Sequence, residues 1–256
     1  MKVKLLRSST SGDAQRQVMT TFLINDRIAI DGGSLGLALG PRDLPSIRDV
    51  VITHAHTDHI ASLPIYIADA FAELETSICV YALPEVVSAL RSFIFNDQIW
   101  PNFEEIPLRN GTGPTLLFRP FRPGEPFEID GVIITPIRVN HVVPTVGLEL
   151  KDQETAVIFT SDTYITDDIW EVARESQHLK AVFVDVSFPN EMEALAAASK
   201  HLTPQTLASE LSKIGRRVEV YATHLKPGSR EQVVHQLNEL KNPAVSVVEV
   251  GRIYEW

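Results

Sequence analysis

Seven consecutive residues, Thr53-His54-Ala55-His56-Thr57-Asp58-His59, bring three imidazoles and a carboxylate into one short stretch. Imidazole nitrogen and carboxylate oxygen are the ligands that zinc, manganese and iron accept. His54 and His56 lie two apart, and in an extended turn both can point to one side. Asp58 and His59 follow a bend and can serve a second ion. A solvated turn has no need of ligand types at this density. Residues 47–52 end in an apolar run that reads as a short buried strand, and residues 60–68 read as the start of a helix. The cluster is therefore expected at the C-terminal end of a strand, where α/β proteins commonly place their chemistry.

The same arrangement recurs further along the chain. The apolar strand expected at 132–139 ends on Asn140-His141. The hairpin expected at 145–150 and 155–160 ends on Ser161-Asp162. The strand at 180–184 ends on Asp185, and the strand at 218–223 ends on His224. Taken alone, each is an ordinary turn residue. Taken with the cluster, His141, Asp162 and His224 complete a set, because two ions need about seven ligand positions. The count closes with His54, His56 and His141 on one ion, Asp58, His59 and His224 on the other, and Asp162 bridging. His201 precedes a helix expected at 205–214 and reads equally as a helix-entry residue or as a group that touches substrate.

The remaining elements frame these positions. A strand is expected at 2–6, a Ser/Thr/Gly loop at 8–12, and a hairpin of 21–24 and 27–30 about Asn25-Asp26. Asp31, at the hairpin's end, either orients a ligand histidine or is a plain turn carboxylate. Gly32 and Gly33 are not followed by Gly-Lys-Ser/Thr and make a poor phosphate loop. Helices are expected to run through 60–75, 84–95 and 230–241, with strands at 78–82 and 245–250. Residues 105–131 read as loops with short strands. Asn96, Trp100 and Asn102 follow the second helix. They form either a helix cap beside a partly buried indole, or a substrate wall that stacks on a flat group and reads its edge. No repeat or linker divides the chain, so residues 1–256 are expected to form a single domain.

Composition narrows the function. The 256 residues are 44% apolar, enough for a sizeable core. The net charge of −10 argues against gripping a long nucleic acid, which needs a basic face. It leaves room for a small phosphorylated substrate, since two divalent ions set against two carboxylates and a hydroxide leave about +1 locally. Cys79 is the only cysteine, which excludes an internal disulfide and a cysteine zinc finger and reads as a buried thiol. With no signal peptide and no run of membrane-spanning length, a cytoplasmic protein is expected.

The His-x-His-x-Asp-His motif, followed in order by His141, Asp162 and His224, resembles the metallo-β-lactamase fold hydrolases. The resemblance covers about residues 18 to 250. It implies an α/β fold, a four-layer αβ/βα sandwich of the metallo-β-lactamase type, with those seven residues as dinuclear metal ligands. Asp162, rather than cysteine, at the bridging position is similar to the phosphodiesterase branch. Asp185-Val186-Ser187-Phe188, His201-Leu202-Thr203-Pro204 and Thr223-His224-Leu225-Lys226 resemble the C-terminal motifs of that branch. The segment 94–102 resembles the class II 3′,5′-cyclic nucleotide phosphodiesterases in particular, whereas Thr57 departs from the leucine common there. The resemblance implies two divalent ions, Zn²⁺ first and Mn²⁺ or Fe²⁺ next. It implies hydrolysis of cAMP or cGMP to the 5′-nucleotide by a metal-activated hydroxide, and a homodimer. Asp58 and His201 are the expected catalytic residues, His201 contacting the phosphate and protonating the leaving alkoxide. Asn96, Trp100, Asn102 and His201 are the expected substrate contacts. The alternatives are a tRNase Z-like endonuclease, another hydrolase of small phospho- or sulfo-esters, and a non-enzymatic nucleotide-binding member.

Overall fold

Val50, Val51, Val80, Val157, Ile158 and Val182 are completely buried. Runs of this kind, apolar at every position, belong to strands covered on both faces. A computed structural model describes residues 1–9, 15–40, 46–241 and 244–256; the loop expected at 8–12 falls in part outside them. The described residues divide into two compact halves, one of residues 2–122 with 250–255, the other of residues 123–249 with the two chain ends.

The first half is built on seven strands in the order β14-β1-β2-β3-β4-β5-β6. These are β1 (Lys2–Leu5), β2 (Phe22–Ile24), β3 (Ile28–Ile30), β4 (Asp49–Val51), β5 (Ile78–Ala82), β6 (Leu116–Pro120) and β14 (Ile253–Glu255). Pairing is antiparallel from β14 to β3 and parallel from β3 to β6. The expected hairpin is present, and Asn25 and Asp26 turn it at φ 51° and 56°. Asn and Asp tolerate that left-handed geometry better than most side chains.

The helix expected through 60–75 is instead broken. After the short α1 (Leu35–Ala38), a single turn, α2 (Thr57–Ile60), is followed by α3 (Leu63–Ala70) and a tight turn at Phe71–Glu73. Ser62 causes the break by giving both its N–H and its hydroxyl to Gly32 O, at 3.2 and 3.1 Å. Tyr66 of α3 is fully buried and donates its hydroxyl to Ile47 O. Burial pushes that phenol well above its ordinary pKa. α4 (Pro84–Phe93) starts on proline, as expected. Cys79 is half-buried in β5 rather than buried.

The second half repeats the pattern with the order β13-β12-β11-β10-β9-β8-β7. Its strands are β7 (Phe127–Ile129), β8 (Val132–Arg138), β9 (Val146–Lys151), β10 (Ala156–Phe159), β11 (Leu179–Asp185), β12 (Glu219–Thr223) and β13 (Ser246–Val247). Pairing is antiparallel from β7 to β10 and parallel from β10 to β13. Trp170 of α5 (Asp168–Glu175) packs with Val182, Val184, Leu207 and Leu211. Its indole N–H meets Glu210 Oε2 at 2.7 Å, so the buried donor is satisfied. α7 (Pro204–Leu211) begins with a reciprocal cap between Thr203 and Thr206 and with proline in its first turn.

The last strand differs from expectation. Only Ser246–Val247 pair at the predicted place, and the closing strand is β14, which pairs with β1. Two further helices of this half are α6 (Glu193–Ser199) and α8 (Arg230–Glu239). Among the described residues, no helix is long and apolar enough to cross a membrane.

Candidate metal centre

In the first half the ligand-type residues hang from the ends of two adjacent parallel strands. β3 ends at Asp31, whose N–H bonds Val51 O of β4 at 2.8 Å. The Asp31 carboxylate is 2% exposed. It accepts the Thr53 N–H at 2.8 Å and the Thr53 hydroxyl at 3.0–3.1 Å. It also meets His59 Nδ1 at 2.7 Å. Of the two roles open to Asp31, the geometry supports orientation of a histidine.

The Thr53 hydroxyl carries one proton and gives it to Asp31. It therefore accepts from His54 Nδ1, 3.0 Å away. Both rings then carry their proton on Nδ1 and present the Nε2 lone pair outward, which is the tautomer a metal needs. The rings of His54 and His56 have centroids 4.7 Å apart, and those of His54 and His59 4.1 Å. Thr20 N and Gly32 N hold the carbonyls of Asp58 and His59 at 2.8 and 2.7 Å. Gly33 is needed beneath this turn, because a Cβ there would lie 2.0 Å from Asp58 O.

The second half gathers its residues from four strand ends and one helix entry. Asp185, the last residue of β11, is buried and meets His201 Nδ1 at 2.7 Å through Oδ2. Burial alone would raise its carboxyl pKa. The His201 charge, with the hydrogen bond from His201, outweighs this and holds it below the ordinary carboxylate range. Ser187 donates its hydroxyl to Asp185 Oδ1 at 2.7 Å and accepts from His224 Nδ1 at 2.9 Å. His141 Nδ1 points at Lys200 O, 3.1 Å away. So His141, His201 and His224 also keep the proton on Nδ1 and turn Nε2 outward.

Asp162 Oδ2 lies 4.0 Å from His141 Nε2 and 3.5 Å from His224 Nε2. Metal bonds of 2.0–2.1 Å in tetrahedral geometry separate two donors by about 3.4 Å. The donor types, their tautomers and the 3.5 Å spacing of Asp162 from His224 therefore fit a divalent ion. One ligand atom each from Asp162, Asp185, His201 and His224 lies within 4.8 Å of the others. The backbone bends sharply at these places: Asp31, Ser161, Lys200 and His224 have φ of 62°, 54°, 61° and 61°.

Thr53, Asp185 and Ser187 have orienting roles that the sequence alone did not assign. Asp185 carried a usable signal, since it ends an apolar strand much as Asp162 does. The 94–102 segment lies in the first half. Asn96 spends its side chain locally, Nδ2 on Ser92 O and Oδ1 on the N–H groups of Gln98 and Ile99. Asn102 Oδ1 accepts from Glu104 N at 3.2 Å. Trp100 is half-buried, and its Nε1 is enclosed with no hydrogen-bond partner.

The family described as the beta-lactamase superfamily domain matches residues 33–225, and the chain belongs to it. A probable 3′,5′-cyclic-nucleotide phosphodiesterase of Yersinia pestis is 25% identical over 213 residues, covering 73% of this chain and 59% of the relative. The 3′,5′-cyclic-nucleotide phosphodiesterase 1 of Saccharomyces cerevisiae is 25% identical over 232 residues, covering 76% and 61%. The chain thus spans about three-fifths of the length of these relatives. The crystal structure of unliganded yeast PDE1 superposes with a TM-score of 0.77 at 18% identity, covering 98% of each chain. The fold is that of the metallo-β-lactamase class, the αβ/βα sandwich expected from the motif.

Proposed function

We propose that this chain is a dinuclear metal-dependent phosphodiesterase that hydrolyses 3′,5′-cyclic nucleotides to 5′-nucleotides. His54, His56, Asp58, His59, His141, Asp162 and His224 are assigned as the ligands of two divalent ions. Zn²⁺ is the first choice for so histidine-rich a donor set. We take residues 1–256 as a single hydrolase domain, since the family match runs through residues of both halves. The observation that carries the reading is the Asp162 carboxylate, whose Oδ2 stands at ligand spacing from His224 Nε2, with His141 Nε2 4.0 Å away. The two relatives named for cyclic-nucleotide phosphodiesterase activity support the substrate.

When bound, such ions lower the pKa of water and neutralise charge on a phosphoryl group. The protein's own contribution is orientation and proton delivery. Asp31, Thr53, Ser187 and Lys200 O hold the ligand rings in the Nε2-outward tautomer. Asp185 holds His201 by its Nδ1–H, which leaves Nε2 to carry the proton that a general acid gives. His201 then contacts the phosphate and gives its Nε2 proton to the departing ribose oxygen. Trp100 is assigned as the wall against the base, with Asn96 and Asn102 shaping the turn that carries it. The net charge of −10 weighs against a tRNA substrate.

The test is a panel of cAMP, cGMP, bis(p-nitrophenyl) phosphate and a precursor tRNA, given to the metal-loaded protein. Cyclic nucleotides should be cleaved, and a chelator should abolish turnover until Zn²⁺ or Mn²⁺ is restored. Cleavage of the aryl diester alone would remove the cyclic-nucleotide substrate. Asp162→Ala should lose nearly all turnover together with bound metal, and an active dinuclear Asp162→Ala protein would sink the ligand assignment.

A further inference from the structure

One charged side chain of the second half stands among the histidines without a part in the chemistry above. Lys226 Nζ lies 3.5 Å from His224 Nε2, and that nitrogen lies 3.5 Å from Asp162 Oδ2. The ammonium is thus directed at the atoms assigned to an ion. Its backbone is fixed from both sides. Lys226 N donates to Ser187 O at 3.3 Å, and Lys226 O accepts from Ser229 N at 3.1 Å, closing the turn that leads into α8. Ser187 is the residue whose hydroxyl also holds His224. The preceding Leu225 is buried, which anchors the turn from below.

An ordinary surface lysine lays its stem on the protein and keeps its head in water. Lys226 is half-buried and brings its head to the His224 imidazole. An ion held at His224 Nε2 would repel an ammonium so near that nitrogen. The four-carbon stem lets the head move while the anchored Cα keeps it beside His224, whose ring stacks on that of His201 with centroids 5.3 Å apart. The group that satisfies a displaced ammonium at such a place is an anion, and lysine binds phosphoryl oxygen as a point charge.

We propose that Lys226 is a phosphate-binding residue, donating to a non-bridging oxygen of the substrate's phosphodiester on the side of His201 and His224. This rests on the phosphodiesterase reading of the site. It adds a fixed positive charge that belongs to the chain itself and marks the site for anionic esters.

Orthophosphate binding to the metal-loaded protein, followed by calorimetry with metal content measured in parallel, tests it. Lys226→Met should keep its metal and bind orthophosphate about 10- to 100-fold more weakly, the size of a charge-assisted hydrogen bond. Lys226→Arg, which keeps the charge, should fall between Lys226→Met and the wild type. KM for bis(p-nitrophenyl) phosphate should rise in the same order. Should Lys226→Met not fold, Lys226→Gln is measured in its place. Phosphate binding unchanged in the neutral variant overturns the proposal. So does weaker phosphate binding that follows metal loss alone, or a wild type that binds no phosphate. A chain that binds phosphate through Lys226 yet leaves cAMP and cGMP intact refutes only the cyclic-nucleotide substrate.

Discussion

The two halves are built to one plan, three antiparallel pairings giving way to three parallel ones, and each buries an aspartate against a histidine. Asp31 and Asp185 each stand 2.7 Å from a ring Nδ1, of His59 and His201 respectively. Each half also places a hydroxyl on a second ring, Thr53 on His54 and Ser187 on His224. The difference lies in supply. The first half hangs four assigned ligands from one strand end, through the single turn α2. The second collects His141, Asp162, Asp185 and His224 from the ends of four strands, with His201 from the entry to α7. A local turn fixes its residues by sequence spacing, whereas dispersed residues meet only if strand register and pairing are correct.

The largest test of that comparison separates two rings held in the same way. His201→Ala should cut turnover by about 10² to 10⁴ with metal content intact, as for loss of a general acid. His59→Ala should release metal instead, measured by elemental analysis after dialysis. Equal metal loss in both would make His201 a ligand and end the distinction between the halves. A smaller effect is expected one step back. Asp31→Asn should weaken metal binding about 10- to 100-fold, whereas Asp185→Asn should cost a similar factor mainly in kcat. Chelator competition and steady-state kinetics on the pair would sharpen or erase the contrast.

The smallest effect concerns packing. Gly33→Ala forces a Cβ onto Asp58 O and should cost about 1–3 kcal/mol, a fall in Tm of about 2–12 °C. Gly147→Ala, crowded by Ile169 Cδ1 at 2.3 Å, should lose comparable stability in the second half. Only the Gly33 variant should also lose metal affinity, because its clash falls on the ligand turn. Equal metal affinity in the two variants would show that the turn yields without moving its ligands.

The same contrast explains what the sequence made legible. Apolar runs ending on His or Asp located β4, β8, β10, β11 and β12, and in β10 and most of β11 burial on both faces leaves no alternation to misread. The His54–His59 turn was legible outright. The break at Ser62 was not, since it depends on Gly32, thirty residues earlier in the chain. α5 and α6 are too short, at eight and seven residues, to set a period. β14 has three residues and is defined by its pairing with β1 at the far end of the chain. Asp185 and Ser187 gained roles only when their side chains could be followed to His201 and His224. Asn96 read either as part of a helix cap or as part of a substrate wall, and both of its polar atoms bond within the turn after α4.

The left-handed residues at the strand ends carry a cost that shapes how this protein can vary. Ser161 stands at φ 54° immediately before Asp162, where glycine would sit without strain. A non-glycine residue there costs roughly 1 kcal/mol. Ser161→Gly should therefore relieve strain in the folded chain while loosening the backbone that aims Asp162. Stability and activity pull in opposite directions at this position. A screen for heat-resistant variants should favour glycine here, and a screen for turnover should restore a side chain.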